Sequence, residues 1–524
     1  MRATSLGHAG MLIESPRGSI VCDPWFVPAF FGSWFPFPRN DQLGGQLIAR
    51  IETADYLYVS HLHGDHLDEP WLREHLRRDV GVLLPGYPTR ELERRLRGIG
   101  FTDVIDTVDG EELDLDGLTV AIHVESSITD GPGGDSALVV SDGDARIVDQ
   151  NDCRTTDLDA LRAHGPVDLH WLQYSGAIWY PMVYDLPPGE LRPLVDAKVD
   201  SQFARAMRYV EAVGATAVVP SAGPPCFLDP ELFHLHVIDG EDVQPSIFRD
   251  QRAFLDRLAR SGHRGLLAIP GTTIEVSAGG IDVRHPLPDT QVESIFASKG
   301  SYLRAYQSDW TPWLDRLKGG WPSDARPDLV ATLKEWWEPL LAIAPTVREA
   351  VGATCLLRAG DTAVLIDFPA GEIRPYAGEH HRFRFDIPRP LVEAVVAARA
   401  VDWSNSLFLS CRFRAWRDGE FNEWVYNFFK SLSHERMRRT EAEAVRRLHP
   451  PTHPELDIEL GDWVVQRRCP HRNADLSVFA EIEGTTLTCT LHGWRFDLAT
   501  GQCLTAADHP LRVRRRDENS GSRS

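Results

Sequence analysis

Three imidazoles and a carboxylate crowd into six positions at His61, His63, Asp65 and His66. They follow directly on an apolar, β-branched and aromatic run at residues 54–60, which reads as a strand. Left unpaired, titratable groups at that density lose solvation and repel one another on protonation. A divalent metal removes both costs, because it takes neutral imidazole and carboxylate ligands from a rigid strand-to-loop turn. Histidines two apart on an extended loop can face one metal while Asp65 and His66 turn toward a neighbouring one.

A second constellation stands near the C-terminus, where Cys469 and His471 form one short loop and Cys489 and His492 another. Two thiolates suit one iron and two imidazoles the other, which is the ligand set of a Rieske 2Fe-2S centre. A zinc knuckle favours Cys-x-x-Cys and His-x-His pairs instead. Cys503 lies outside both loops and reads as a small buried residue.

The elements that must position these groups are legible in outline. At 524 residues the chain has room for about three domains. Up to about residue 225, strand runs at 19–22, 54–60, 81–84, 118–124, 136–140, 145–149, 168–174 and 217–220 alternate with helical runs at 69–78, 89–98, 157–163 and 201–214. That alternation favours an α/β layered architecture. A further helix is expected at 243–262 and glycine-broken strands at 266–283. Residues 291–448, rich in tryptophan and with a strand-like run at 407–415, read as a mixed α+β domain. The prolines at 449–454 mark a break. A short-stranded, all-β stretch follows to 516, and 517–524 reads as a disordered tail. The domains are therefore expected at 1–290, 291–448 and 449–516.

With 55 basic against 76 acidic residues, the net charge of −21 disfavours nucleic acid and anionic lipid as partners. No apolar run reaches the ~20 residues of a transmembrane helix, and the start MRATSLGHAGMLIES lacks a signal-peptide pattern, so a cytoplasmic protein is expected. Eight cysteines in so long a chain do not suggest a disulfide scaffold.

The run from His61 to His66 matches in full the HxHxDH signature of the metallo-β-lactamase fold, and this resemblance implies an αββα sandwich. His8 in LGHAGMLIE and Asp23 in VCDPW resemble the first two strands of the branch with phospholipase D-like and lactonase-like members. Asp152 in RIVDQNDC takes the place of that branch's metal-bridging aspartate. The resemblance lapses at two ligand positions. Ser221 stands where the last histidine would follow the strand at 217–220, and Ser127 aligns better than His123 after the strand at 118–124. His123 is then a strand histidine or a displaced ligand, and His234 and His236 are alternatives for the missing one. His61, His63, Asp65, His66 and Asp152 remain. They suffice for one metal with open positions, as in a 2-His-1-carboxylate non-haem iron site.

Residues 456–511 resemble Rieske ferredoxin domains of the oxygenase type, with FDLATG at 496–501 matching the strand and turn after the second loop. Electron transfer asks for an acceptor, and zinc has no redox chemistry. The two domains together resemble the Rieske-dependent sugar N-acetyl hydroxylases, a likeness also seen in QYSGAIWYPMVY at 173–184 and VVPSAGPPC at 218–226. The resemblance implies an O2-dependent monooxygenase that hydroxylates the N-acetyl group of a nucleotide sugar. The C-terminal place of the Rieske domain is closer to the actinobacterial branch that converts UDP-N-acetylmuramic acid to its N-glycolyl form for peptidoglycan than to the CMP-N-acetylneuraminate branch. No dinucleotide fingerprint is present, because GPGGD at 131–135 lacks the spacing and setting, so a separate reductase or ferredoxin must deliver NAD(P)H-derived electrons. Arg382 with Arg384 and Arg412 with Arg414 are candidates for a diphosphate if their runs are strands. The aromatic stretch at 25–37 is a lid, a membrane-touching loop or buried packing. The competing reading is a metal-dependent hydrolase of phospholipase D or lactonase type with a redox-sensing Rieske module.

Overall fold

The structure, a computed structural model, describes residues 1–126, 134–176, 178–240, 245–322, 328–448, 457–471, 474–491, 493–505 and 509–516. His492, Ser127, most of the GPGGD run, the proline-rich break and the tail lie outside the described residues. The chain divides into two compact units, Met1–Trp321 with Asn405–Arg412, and Pro322–Ser404 with Phe413–Ser524.

The first unit contains fourteen strands among its described residues: β1 Arg2–Gly7, β2 Gly10–Ser15, β3 Gly18–Cys22, β4 Tyr56–Tyr58, β5 Gly81–Leu84, β6 Val104–Asp106, β7 Glu112–Leu115, β8 Leu118–Glu125, β9 Asp135–Ser141, β10 Arg146–Asn151, β11 Leu169–Gln173, β12 Ala217–Ser221, β13 Thr273–Ser277 and β14 Gly280–Arg284. One sheet runs β14-β13-β1-β2-β3-β4-β5-β6 and the other β12-β11-β10-β9-β8-β7. The sheets face each other across one apolar layer, in which Met11, Ile13, Ile20 and Tyr58 meet Leu118, Val120, Ile122, Leu138, Ile147 and Trp171. On the outer face of the first sheet, Leu12, Val21, Leu57 and Val82 pack under helices Gly45–Glu52, Glu69–His75 and Glu91–Ile99. Helix Leu191–Val213 lies against β11 and helix Gln251–Arg260 against β12. Central strands covered on both faces read as continuous apolar runs rather than alternating ones, which is why they were visible in the sequence. This is the expected metallo-β-lactamase-like αββα sandwich.

Strands β3, β4 and β5 pair in parallel, as do β10, β11 and β12, so their carboxyl ends share one rim of each sheet. Loops at carboxyl strand ends are where α/β sheets present chemistry. The glycine-broken stretch at 266–283 becomes β13 and β14, and β13 pairs antiparallel with β1.

Three expectations need correction. The helix expected at 201–214 begins at Leu191, because Pro193 lies in the first turn, where no backbone donor is needed. The helix expected at 243–262 is, among the described residues, Gln251–Arg260, its start set by the Asp250 cap, whose carboxylate accepts from the backbone N–H of Arg252. The run at 407–415 is not a strand, since Cys411 has a φ of 56° and the extended segment is only Arg414–Arg417.

The second unit contains a five-stranded sheet in the order Glu372–Pro375, Thr362–Asp367, Thr354–Ala359, Phe383–Ile387, Arg414–Arg417. Its helices bury an aromatic core in which Trp337 and Trp403 meet edge to face at 5.1 Å and Trp403 stacks on Phe429 at 5.9 Å. Two small antiparallel sheets follow, one of Asp457–Leu460, Trp463–Gln466 and Val513–Arg515, the other of Ala480–Glu483, Thr486–Cys489 and Trp494–Asp497. These form the small all-β domain. Among the described residues, no helix is long and apolar enough to cross a membrane.

Candidate functional site

The loop at the carboxyl end of β4 carries His61, His63, Asp65 and His66, and Asp152 follows directly on β10. Among the described residues, two groups of side chains have the geometry to hold a metal ion, His61 with His63 and Asp152, and His8 with Asp65 and His66; within each group the ligand atoms lie within 4.8 Å of one another. Nε2 of His61 is 2.7 Å from Nδ1 of His63, and Nε2 of His8 is 2.9 Å from Oδ2 of Asp65. His66 stands between the groups, its Nε2 being 3.7 Å from both Asp65 Oδ2 and Asp152 Oδ2. The five residues singled out in the sequence are thus brought together.

Of the residues that orient this cluster, sequence reasoning missed Ser60 and Asp135. Nδ1 of His61 is 3.2 Å from Oδ1 of Asp135, at the start of β9, and 2.9 Å from Oγ of Ser60. Asp23, directly after β3, accepts hydrogen bonds from the backbone N–H and hydroxyl of Ser60 and from the Asn151 amide, and lies 2.8 Å from Nδ1 of His66. A carboxylate behind an imidazole fixes its tautomer and ring direction. Asp23 was visible in the sequence as part of a strand pattern, but Asp135 had no local signal.

The electrostatics match this packing. Burial disfavours the charged His66 ring, yet Asp65, Asp152 and Asp23 outweigh it and hold its pKa well above the usual value. Burial likewise works against His61, and Asp135 reverses it. Burial would raise Asp65, but His66 and His8 hold it far below the ordinary carboxylate range. Burial raises Asp152 despite His66 and His61. Beneath the cluster Asp149 is wholly buried, and burial together with the Asp23 charge pushes its pKa well up.

Other candidates fall elsewhere. Nε2 of His123 is 2.8 Å from Nε2 of His164, which in turn faces Glu112 at 2.9 Å, so His123 is a strand histidine outside the cluster. His236 accepts the backbone N–H of Phe227 and lies 3.0 Å from the Phe233 carbonyl, while burial pulls its pKa down to about 3. His234 is exposed. Neither joins the metal-ligand groups among the described residues. Arg412 is buried against Asp229 at 2.8 Å, and Arg382 donates to the carbonyls of Asp418 and Glu420, so both serve the fold. In the aromatic stretch Trp25, Trp34, Phe35 and Phe37 are buried, so these four side chains are packing.

At the second constellation Cys469 and Cys489 are both wholly buried. Cys489 ends strand Thr486–Cys489 and is the register partner of Trp494, whose indole stacks on His471 with centroids 3.8 Å apart and planes at 10°. Through that stack the two expected loops meet. Glu423, buried at the start of helix Glu423–Lys430, lies 3.4 Å from Nε2 of His471 and 2.9 Å from Nε2 of His509, and Arg447 lies 3.1 Å from it. Burial would raise the Glu423 carboxyl, but Arg447 and His471 hold it well below its usual range.

Residues 458–513 match the Rieske [2Fe-2S] domain, and residues 329–446 match the Rv3818-like, SCP2-like domain. The chain is 36% identical to the mouse cytidine monophosphate-N-acetylneuraminic acid hydroxylase over 111 residues, covering 20% of this chain and 18% of that protein. Its fold is similar to that of CmlA, a diiron β-hydroxylase from Streptomyces venezuelae, at 18% identity and a TM-score of 0.35, covering 54% of each chain. Across 98% of its length the chain is 45% identical to Rv3818 of Mycobacterium tuberculosis H37Rv, described as a Rieske 2Fe-2S iron-sulfur protein, which is covered in full. On that match the chain belongs to the Rv3818-like family of Rieske 2Fe-2S iron-sulfur proteins.

Proposed function

We propose that this protein is an O2-dependent monooxygenase that hydroxylates the N-acetyl group of a nucleotide sugar, UDP-N-acetylmuramic acid, to the N-glycolyl form. The observation that carries the reading is one chain holding both a Rieske domain and a separate buried imidazole-carboxylate cluster with donor atoms left over. His66 Nε2, Asp65 Oδ1 and Asp152 Oδ1 are buried without a hydrogen-bond partner among the described residues, a costly arrangement that a bound cation relieves. Imidazole and carboxylate donors with open positions fit non-haem iron.

His61, His63, Asp65, His66 and Asp152 are the residues that would hold the iron. Cys469, His471, Cys489 and His492 would hold the Rieske cluster. Bound iron supplies the capacity to activate O2, and the cluster supplies single electrons. The balance is one O2, two electrons and two protons consumed, one oxygen atom inserted into a methyl C–H bond and the other released as water. Asp135 and Asp23 keep the ligand rings aimed, and the apolar wall of Trp25 beside His8 limits water. Electrons come from NAD(P)H by way of a separate reductase or ferredoxin. The sugar assignment is supported by the likeness to the sialic acid hydroxylase and by the C-terminal place of the Rieske domain.

The test is turnover with a reductase system, 18O2 and UDP-N-acetylmuramic acid, followed by mass spectrometry. One labelled atom in the acyl group is the expected result. Its absence, with a cluster that reduces and reoxidises, withdraws the sugar, and release of a hydrolysis product without label withdraws the oxygenase.

A further inference from the structure

The metallo-β-lactamase resemblance leaves one ligand unaccounted for at the end of β12, where Ser221 stands. Resting on the reading of the N-terminal cluster as an iron site, we propose that His8 supplies that ligand, completing with Asp65 and His66 a second metal position beside the one formed by His61, His63 and Asp152.

His8 reaches the cluster from the turn between β1 and β2, far from β12 in sequence. Its Nε2 lies 2.9 Å from Asp65 Oδ2. Two donors on adjacent positions of one ion, each at about 2.1 Å, stand roughly 3 Å apart, so that separation is also the edge of a coordination polyhedron. The side chains of His8, Asp65 and His66 are almost wholly buried. Asp65 Oδ1 and His66 Nε2 have no hydrogen-bond partner among the described residues, so an ion pair between His8 and Asp65 leaves the remaining donors unexplained. Asp152, in the first group, lies 3.7 Å from His66 in the second and can serve both.

The backbone points the same way. His8 has a φ of 53°, a left-handed conformation that is strained for a residue bearing a side chain. Such strain persists only where the surroundings enforce it, and here they do. The N–H of Ala222, the residue after Ser221, donates to the carbonyl of His8 at 3.0 Å, and Trp25 packs edge-on against the imidazole at 4.9 Å. The segment that lacks a ligand of its own therefore holds the backbone of the residue that takes its place.

The experiment uses the full chain with its cluster intact. Total iron by plasma mass spectrometry is compared with cluster content from the EPR signal of the reduced Rieske centre, in wild type, His8→Gln and His8→Ala. The expected result is one metal ion fewer per chain in both variants, with the cluster signal unchanged. A metal content outside the cluster that neither variant alters overturns the proposal and leaves the iron reading standing. A wild type with no metal beyond its cluster overturns both. Should the variants fail to fold, the Mössbauer spectrum of the wild type decides: a spin-coupled pair outside the cluster supports the assignment, and a lone iron overturns it.

Discussion

Nδ1 of His66 lies 2.8 Å from Oδ2 of Asp23, and neither side chain reaches solvent. Ser60 and Asn151 donate to the same carboxylate, so Asp23 is held in place from three sides and in turn fixes which nitrogen of His66 faces Asp65 and Asp152. Replacing Asp23 by Asn keeps the volume and removes the charge. Metal affinity of the N-terminal site is expected to fall by about 10- to 100-fold. Competition against a graded series of chelators reads this directly, and an affinity equal to wild type would show that Asp23 serves only the fold.

Asp149 yields a prediction in pH. Burial, then the Asp23 charge, raise its folded pKa, so its protonated form is favoured in the native state. The unfolded carboxyl ionises near ~3.9, and above that pH the wild type loses about 1.4 kcal/mol per pH unit until the raised folded pKa is passed. Below the unfolded value the two states bind the proton equally and no penalty exists. Asp149→Asn has nothing to ionise. Its Tm relative to wild type, measured on metal-free protein, should therefore climb as pH rises from 4 toward neutrality, and a flat difference would refute the raised pKa.

Glu423 ties His471, His509 and Arg447 together inside the second unit. Glu423→Ala takes from buried Arg447 one of its two carboxylate partners, Glu443 remaining, and the loss of a charged buried hydrogen-bond partner costs about 1–3 kcal/mol. Chemical denaturation should show that loss. The milder Glu423→Gln keeps the shape and, with His471 as the proposed cluster ligand, should move the midpoint potential of the Rieske centre, because the hydrogen bonding of a ligand imidazole sets ligand basicity. A stable Gln variant with an unmoved potential would make the contact purely structural.

Cys469→Ser is expected to abolish the visible absorption of the cluster and turnover on reductase-supplied electrons while metal remains in the N-terminal site. Metal analysis alongside optical spectra checks this. Loss of both metals together would mean that the two centres depend on each other for folding.

Much of the architecture was legible in the sequence because strands covered on both faces are written as continuous apolar runs, as in residues 81–84 and 217–220. Helix ends were less legible. Leu191 and Gln251 begin helices whose limits depend on a tolerated first-turn proline and on an Asp250 cap, both weaker signals than a hydrophobic period. The turn through Cys411 was misread as a strand because apolar composition alone does not report a left-handed residue.

The candidate site divides the same way. Local density of ligand-type residues made His61, His63, Asp65, His66, Cys469, His471 and Cys489 stand out, since no bland packing role suits so many titratable groups in so few positions. Asp135 came only from the tertiary structure, and His8 and Asp23, visible in the sequence as family-like strand positions, gained their contacts to the cluster only there. Their contacts to the cluster run from strands β9, β3 and the β1–β2 turn, elements separated in sequence and joined by sheet pairing. The sequence by itself determined which chemical groups were available and the strands that carry them, because both are properties of short runs. Only the tertiary structure decided which groups meet, because a hydrogen bond of about 2.9 Å between residues far apart in the chain is set by register and packing and by nothing local.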